Sequence, residues 1–396
     1  MKHSIPITLF LFCCFNLDAY YCMKSENRRT HRTRKYEKYT APLNRNQIKF
    51  KKKEPKEVVK SGIEESFETV KGKDTELPYK VLDPCSSRLT SLMTAAKSRK
   101  QRYKKNTIML EGRRLISDAL QAGVKPLMIL FTRKQLIEDL PILDEYVTPE
   151  KTVLHKIPYE YLQNWSNLTT SPGLTGLFEM PKLENRPLDF PTLPITFICD
   201  NVREPGNLGS ILRIAAAIPV QKVVLLKGCV DLWDPKVTRT SCGSLFNLRI
   251  ENNAMWEDVR DNCQGKVIVA DHLASDEYDP VTMRAEDYVD SVDMESEVPE
   301  EIQEDEEEEE ILDKNKLRKV LNIPVHPYYG IEYKNHESYV IVIGGETEGL
   351  SEETFLFAKE NNGVRVNIPL SNCVNSLNAA TALGIITFEI KKQLQN

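Results

Sequence analysis

The sequence lacks the cysteine spacing that zinc sites and redox pairs use. Its nine cysteines are odd in number, and no two of them form a C-x-x-C pair. Several of them fall in apolar segments predicted to be strands or helices, where a reduced thiol packs like a small hydrophobic side chain. The cysteines therefore predict reduced core thiols, with no disulfide framework and no metal site.

Hydrophobic runs long enough to cross a bilayer are also missing. The run IPITLFLFCCF, Ile5 to Phe15, is too short for a membrane span and resembles the apolar part of a secretory signal. The later stretch NRRTHRTRKYEKY is rich in arginine and nearly free of acids, which is typical of organelle targeting. Residues 1–85 are thus predicted to be a removable targeting segment and a disordered basic arm, and composition alone leaves the destination open.

The glycine motifs that bind nucleotide phosphates are absent, since neither G-x-G-x-x-G nor a P-loop occurs. The glycine-rich turn that does occur, IGGETEGL from Ile343 to Leu350, has no lysine and contains Glu346 and Glu348. Carboxylates in such a turn would repel phosphates, which glycine loops bind through backbone N–H groups. The turn therefore argues against a nucleotide-dependent oxidoreductase and favours a ligand that is free of phosphate or positively charged.

The chain lacks an overall positive charge, because its formal net charge is −5. Residues 24–60 contain fourteen Lys or Arg against four acids, whereas residues 271–313 contain twenty acids against Arg284 alone. The run of seven acids from Glu304 to Glu310 cannot pack in a core. Residues 273–316 are therefore predicted to be a disordered acidic insertion, with a nucleic-acid mimic that shields the basic arm as the alternative.

Alternating apolar runs predict two α/β domains after the basic arm. Residues 87–181 give helix, strand, helix, strand and further short elements, and the proline-bearing stretch ENRPLDFPTLP then forms a linker. Longer units follow in residues 195–392, where strands alternate with helices, a pattern typical of a mostly parallel sheet covered on both faces. The predicted strands of this second domain are Ile195–Cys199, Lys222–Leu226, Lys266–Ala270, Tyr339–Ile343 and Val364–Ile368.

The stretch DNVREPGNLGSILRIAAA, Asp200 to Ala217, stands where a strand passes into a helix. We expect Asn207 to cap a helix that starts at Leu208, since an asparagine carbonyl accepts bonds from the free N–H groups of a first turn. Arg213 follows on that helix, where its guanidinium would suit a phosphate or a hydroxyl next to one. By itself the stretch is equally compatible with two interpretations. It could be a ligand site, or it could be a capped helix whose arginine only extends into solvent.

A third stretch, VNIPLSNCVNSLNAATALGIITFEI from Val366 to Ile390, passes from a strand through a proline turn into the last helix. Ser376 is placed to cap that helix, which we expect to run from Ser376 to about Lys392. Small side chains from Ala379 to Gly384 would permit a close approach by another backbone. A tightly buried helix is the simplest interpretation of those small residues.

Together the stretches resemble the SpoU/TrmH branch of the SPOUT-class RNA ribose methyltransferases. The matching motifs are N-x-G-x-I-x-R-x-A from Asn207, I-G-G-E-x-E-G-L from Ile343, and I-P-L followed by S-L-N from Ile368 to Asn378. Each motif is weak alone, whereas the set in this order is specific, and the match covers about residues 195–392. A looser match joins residues 87–181 to the substrate-binding domain often found in front.

The resemblance implies a C-terminal trefoil knot, one of the rare exceptions to unthreaded chains. It also implies S-adenosylmethionine as the methyl donor, bent within loops of the knot and held largely by backbone groups. A donor with a sulfonium and no phosphate agrees with the carboxylates of the glycine turn. By position in the motifs, the cofactor-binding residues are Gly344, Gly345, Gly349, Ile368 and Leu377.

The reaction implied by the resemblance is methylation of an RNA ribose 2′-hydroxyl. That oxygen is a poor nucleophile until its proton is withdrawn. The family pattern assigns this activation to Arg213, either as a base or as an electrostatic stabiliser, and an arginine is an unusual base because it stays protonated. The other catalytic positions would orient Arg213 and the ribose; they are Asn207, Glu346, Ser376 and Asn378.

RNA binding has support from a second feature, a basic cluster in the first domain. Such a cluster gives salt-dependent affinity for phosphates without reading sequence, although a solvated helix face would look the same. Within that cluster and the second domain, the candidate RNA-binding residues are Arg99, Lys100, Arg102, Lys104 and Arg239.

The resemblance, with the basic arm and the acidic insertion, implies a mitochondrial enzyme that methylates a guanosine of large-subunit rRNA, with a secretory route as the weaker alternative. A homodimer formed through knot helices and a ribosome-assembly particle as substrate are implied as well. A catalytically silent RNA-binding or assembly factor of the same fold, or a tRNA substrate, are the remaining alternatives.

Overall fold

The computed structural model describes residues 68–72, 75–83, 87–138, 140–147, 154–271, 321–346, 349–371 and 374–395. The predicted targeting segment and acidic insertion lie outside these residues. No helix among the described residues is long and apolar enough to span a membrane.

The first part of the chain forms a mixed six-stranded sheet in the order β1-β2-β5-β4-β6-β3. Its pairs β2·β5 and β4·β5 are parallel, and the other three are antiparallel. The elements are β1 Glu68–Lys71, β2 Glu76–Val81, α1 Ser87–Lys97, α2 Arg99–Lys105, β3 Thr107–Glu111, α3 Arg113–Gln121, β4 Pro126–Phe131, α4 Gln135–Glu138, α5 Leu143–Tyr146, β5 Leu154–Lys156, α6 Tyr159–Trp165 and β6 Leu174–Glu179.

The strands β1 and β2 correct the prediction that order begins near Ser87. Leu77 and Tyr79 alternate with exposed or half-exposed residues along β2 and are 1% and 0% exposed, respectively. The Tyr79 ring packs edge-on against Phe131 with centroids 5.2 Å apart. The prediction was wrong because the lysine-rich surroundings masked a short alternating run, which is enough for a strand once its apolar face is covered.

The second part forms a seven-stranded sheet in the order β11-β13-β10-β12-β7-β8-β9, and every strand pair in it is parallel. The elements are β7 Leu193–Asp200, α7 Pro205–Ala217, β8 Val220–Leu226, α8 Pro235–Thr240, β9 Ile250–Ala254, α9 Trp256–Asn262, β10 Lys266–Ala270, β11 Val325–Pro327, β12 Tyr339–Gly344, α10 Glu352–Glu360, β13 Val364–Asn367 and α11 Ala379–Gln395.

Helices cover both faces of the second sheet. Phe197 faces a core shared with α7 and α11, whereas its neighbour Ile198 faces a separate core shared with α9 and α10. Burial on both faces explains why these strands read as nearly continuous apolar runs. The predicted α/β class with a mostly parallel, doubly covered sheet is confirmed, and the trefoil knot stays a prediction.

All five strands predicted for this sheet form, whereas β9 and β11 were not predicted. The sequence of β9 is IENNA, and β11 contains only three residues, VHP. Strands this short show no clear alternation of apolar and polar residues, and they are ordered by pairing with a neighbouring strand.

Two predicted helix caps are corrected by the structure. α7 begins at Pro205, and the side chain of Glu204 caps it by accepting a bond from the Gly206 N–H at 3.3 Å. α11 begins at Ala379, and Asn378 caps it rather than Ser376, since the Asn378 Oδ1 accepts bonds from the N–H groups of Ala380 at 3.1 Å and Thr381 at 3.3 Å. Because Glu204 caps α7, the side chain of Asn207 is left for other contacts.

Candidate functional site

The site lies at the carboxyl edge of the second sheet, where the strand order reverses. From β7 the chain passes to β8 and β9 on one side, and it then crosses to β10, β12 and β13 on the other. Loops that leave adjacent strands on opposite sides of such a point open a crevice between them. The turn after β7 and the turn after β12 meet at this crevice.

Asn378 joins the three sequence motifs. Its Nδ2 donates to the Oδ1 of Asn207 at 2.7 Å and to the Oε1 of Glu346 at 2.7 Å. These partners come from α7 and from the glycine-rich turn, 171 and 32 residues away along the chain. Since Asn378 also caps α11 through its Oδ1, one amide fixes the relative positions of two helix starts and one turn.

The three side chains differ in exposure. Asn207 is buried with 7% of its surface exposed, whereas Asn378 and Glu346 are exposed. A buried amide that accepts a hydrogen bond is held in one orientation, because rotation would leave its polar atoms unpaired. Asn207 therefore provides a fixed hydrogen-bond acceptor that orients Asn378, and Asn378 in turn orients Glu346.

Arg213 lies on α7 beyond Asn207. Its side chain is exposed, and it forms no hydrogen bond or ion pair with another residue among those that the structure describes. A guanidinium with free donors on an ordered helix is available to an anionic ligand.

The remaining predicted positions surround the three motifs. Ser376 is exposed, and Leu377 and Ile368 are half-buried in the loop between β13 and α11. Ser376 forms no hydrogen bond to Asn207, Glu346 or Asn378, so the structure joins those three residues and leaves Ser376 beside them.

The glycine-rich turn is tied to the end of β7. The Gly345 N–H donates to the Asp200 carbonyl at 3.0 Å, and Gly345 pairs with Gly349 in an antiparallel bridge. A Cβ on Gly345 would lie 2.1 Å from the Asn201 carbonyl oxygen, and one on Gly344 would lie 2.9 Å from the Gly349 carbonyl carbon. The backbones are therefore packed too closely for any side chain at either position.

Asp200 is a positioning residue that the sequence pattern did not reveal. Its carboxylate is 2% exposed and accepts bonds from the Ser351 N–H at 2.6 Å and the Thr354 hydroxyl at 2.7 Å. Burial raises the pKa of the Asp200 carboxyl, and these two hydrogen bonds oppose the rise. Asp200 thus fixes the far end of the glycine-rich turn. Nothing but the general preference for polar groups at strand ends could have indicated it.

Most of the predicted RNA-binding residues are exposed cations, but Arg102 is not. Arg99, Lys100 and Lys104 are exposed on α2, and Arg239 is exposed on α8. Arg102 is 4% exposed and forms a buried ion pair with Asp231 of the second domain. This position corrects the prediction for Arg102, because its guanidinium is already used in joining the two domains.

The described cysteines are free thiols, and two of them belong to the core. Cys199, Cys229, Cys242 and Cys263 are free, and the first and last are buried. Burial raises the pKa of Cys199 well above its usual value and that of Cys229 to about 12. No group of three or more His, Cys, Asp or Glu among the described residues could hold a metal ion.

Comparison with known proteins gives the family. The profile of the SpoU rRNA Methylase family matches residues 194–388, and that of the MRM3-like substrate binding domain matches residues 92–176. The protein named rRNA methyltransferase 3, mitochondrial, is 36% identical over 337 residues in Xenopus laevis, which covers 81% of this chain and 77% of that protein. The human protein of that name is 37% identical over 336 residues, covering 81% of this chain and 76% of its own length.

The chain belongs to the SpoU rRNA methylase family. This confirms the resemblance inferred from the three motifs. Solved structures with the SpoU fold agree: an AdoMet-bound rRNA methyltransferase from Sinorhizobium meliloti has a TM-score of 0.56 at 21% identity and covers 80% of this chain and 98% of its own. A TrmH-family RNA methyltransferase from Porphyromonas gingivalis has a TM-score of 0.52 at 22% identity and covers 78% and 98%.

Replacing Gly345 with alanine in this SpoU chain is expected to displace the glycine-rich turn. The new methyl group would overlap the Asn201 carbonyl oxygen, which belongs to the backbone and cannot rotate away. Overpacking of this kind costs about 1–3 kcal/mol. We expect S-adenosylmethionine affinity, measured by calorimetry, to fall by about tenfold or more, since each 1.4 kcal/mol is a factor of ten.

Gly384→Ala is the matched control. A Cβ at Gly384 in α11 would have the Ile214 Cδ1 as its neighbour at 3.5 Å, an ordinary contact, so the predicted close approach by a backbone does not occur there. Alanine should be tolerated at this helical position and should stabilise the fold by up to about 1 kcal/mol. Unchanged cofactor binding in Gly345→Ala would contradict the role given to the turn.

Proposed function

We propose that this protein is an S-adenosylmethionine-dependent 2′-O-methyltransferase that acts on a guanosine of mitochondrial large-subunit rRNA. The main support for the proposal is a hydrogen-bond network in a SpoU-family fold: Asn378 bonds to Asn207 and to Glu346, and Arg213 lies on the same helix as Asn207. The mitochondrial location and the rRNA substrate follow from the relatives named rRNA methyltransferase 3, mitochondrial.

The glycine-rich turn and the loop before α11 fit S-adenosylmethionine. The turn that contains Gly345 and Gly349 lies at the carboxyl ends of parallel strands, and it has no lysine that would point to a phosphate. Exposed Glu346 supplies negative charge, which suits a sulfonium. The residues that would hold the cofactor are Gly344, Gly345, Gly349, Ile368 and Leu377.

When bound, S-adenosylmethionine supplies an electrophilic methyl group. The protein has to lower the cost of removing the proton from the ribose 2′-hydroxyl, and the proton passes to solvent. We assign Arg213 to stabilise the developing negative charge on that oxygen and to contact the neighbouring phosphate, because a guanidinium stays protonated. Asn207, Glu346 and Asn378, with Ser376 next to them, orient the ribose and Arg213.

Two features disfavour a catalytically silent RNA-binding factor. The protein's own side chains form the hydrogen bonds that join Asn207, Glu346 and Asn378. Arg213 has no structural partner among the described residues that would explain its presence otherwise. A purely architectural protein has no need for an ordered polar cluster of this kind at the sheet edge.

A homodimer is part of the proposal, with an assembling large-subunit particle as the substrate. Phe388 on α11 is 50% exposed, and the half-buried Ile385 lies almost one turn before it on the same helix. An exposed apolar stripe on the last helix suits a second copy of the same helix. The RNA would then contact both subunits.

The proposal is tested by measuring cofactor binding and RNA modification separately. Calorimetry should detect S-adenosylmethionine binding to the purified protein. Mapping of 2′-O-methyl marks on mitochondrial rRNA should show one guanosine that loses its mark when the protein is removed. Failure of the protein to bind S-adenosylmethionine would exclude the proposed methyltransferase activity. Loss of a mark on tRNA would support that activity but show that the substrate is tRNA and not rRNA.

A further inference from the structure

Asn367 is a buried amide at the carboxyl end of β13, directly before Ile368, which is assigned to cofactor binding. It is 2% exposed, and its Oδ1 has no hydrogen-bond partner among the residues that the structure describes. A carbonyl buried without a partner is costly, because it has given up its hydrogen bonds to water. Most buried side-chain oxygens accept a hydrogen bond, so an unpaired one beside a ligand site calls for a donor on the ligand.

The strand directs Asn367 to the face of the sheet that α10 covers. Its neighbour Val366 belongs to the core shared with α7 and α11, and successive side chains of a strand point to opposite faces. The glycine-rich turn leaves β12 and leads into α10, which packs on the same face as Asn367. Asn367 and the turn therefore lie on one side of the carboxyl edge.

Asn367 is also level with the start of the glycine-rich turn. β10 lies between β13 and β12, and its Ala270 is in register with Val366 on one side and Ile343 on the other. Asn367 and Gly344 each come one residue later, so they are separated by two strand spacings, about 10 Å. One molecule of S-adenosylmethionine is long enough to contact both.

The charged side chains next to Asn367 are paired with each other. Arg365 precedes Asn367 by two residues and shares its face, and its Nε donates to the Asp271 Oδ2 at 3.1 Å. Both side chains are 1% exposed, and the pair has no net charge. A carboxylate or an ammonium group would gain no compensating charge here and would lose its hydration. The ligand group that suits Asn367 is therefore a neutral donor.

We propose that the Asn367 Oδ1 accepts a hydrogen bond from the exocyclic amino group of the S-adenosylmethionine adenine, so that Asn367 selects the base of the cofactor. The inference rests on the proposed function, which takes S-adenosylmethionine as the methyl donor. The adenine amino group is a neutral donor on a flat ring, and the half-buried Ile368 and Leu377 offer apolar surface to that ring. The sulfonium end has to lie toward the exposed Glu346 and Asn378 instead, where the RNA ribose would arrive.

The test compares two ligands by calorimetry: S-adenosylhomocysteine, and its analogue in which a hydrogen atom replaces the adenine amino group. The wild type should bind the analogue about two- to tenfold more weakly, the effect of one hydrogen bond. Asn367→Leu keeps the volume of the side chain and removes the acceptor. It should bind S-adenosylhomocysteine about two- to tenfold more weakly than the wild type does, and it should bind both ligands equally well.

Melting of the ligand-free protein gives a second measurement. Asn367→Leu removes an unpaired buried carbonyl, so its melting temperature should equal or exceed that of the wild type. A residue that only supports the fold would lower the melting temperature when replaced and would leave the preference between the two ligands unchanged. If Asn367→Leu does not fold, Asn367→Ala removes the same acceptor without adding apolar bulk and allows the same comparison.

Asn335→Leu is the matched control. Asn335 is an exposed amide that precedes β12, so it lies at the opposite edge of the sheet, and its replacement should leave the ligand preference at the wild-type value. Two results would overturn the proposal: equal binding of both ligands by the wild type, or a variant at Asn367 that prefers S-adenosylhomocysteine as strongly as the wild type does. A wild type that binds neither ligand would instead contradict the proposed function itself.

Discussion

Arg213→Ala is expected to lower the rate of methyl transfer by about 10²–10³-fold, the range typical of removing one donor that stabilises a developing oxyanion. The expected effect is large because Arg213 is the cation assigned to the developing oxyanion, and no other motif residue carries a positive charge. The side chain is exposed and makes no bond that holds the fold among the described residues. Single-turnover measurements with saturating RNA and S-adenosylmethionine would report this rate directly.

Arg213→Lys provides the conservative comparison. It retains the charge but loses the planar pair of donors, so it should recover part of the rate and not all of it. The melting temperature and the affinity for S-adenosylmethionine should match the wild type in both variants. Methylation by Arg213→Ala at the wild-type rate would refute the assignment of this residue, although the family membership would stand.

The sequence predicted the second domain well because its signals are local. Five apolar runs gave five strands of the parallel sheet, since a strand buried on both faces needs only a continuous apolar stretch. The motif residues Asn207, Glu346 and Asn378 were also identified from the sequence, and the structure brings them within hydrogen-bond distance. Their contact follows from topology, because adjacent parallel strands end at one edge.

The features that were missed depend on partners far away in the chain. Arg102 looks like any exposed lysine or arginine of a basic helix, and only Asp231, 129 residues later, makes it a buried structural residue. Asp200 likewise gains its role from Ser351 and Thr354, more than 150 residues away. The caps were misplaced for a different reason: Ser376 and Asn378 are both good capping residues, and local preference does not choose between them.

Arg365→Leu is expected to destabilise the fold by about 3–5 kcal/mol, the usual cost of removing one partner of a buried ion pair. Arg365 on β13 and Asp271 at the end of β10 are each 1% exposed at the side chain, and the Arg365 Nε donates to the Asp271 Oδ2 at 3.1 Å. Without Arg365, the Asp271 carboxylate would be buried without the cation that now compensates it. Urea denaturation of the purified protein would measure the loss.

The double variant Asp271→Leu/Arg365→Leu separates the ion pair from simple packing. Replacing both charges with apolar side chains removes the buried carboxylate together with its cation, so the double variant should be more stable than Arg365→Leu alone and should approach the wild type. Because β13 leads directly into the loop with Ile368, the single variant should also weaken S-adenosylmethionine binding, and the double variant should restore it. If the double variant were less stable than Arg365→Leu, removing the carboxylate would have added a further loss, and desolvated charge could not be what makes the single change costly.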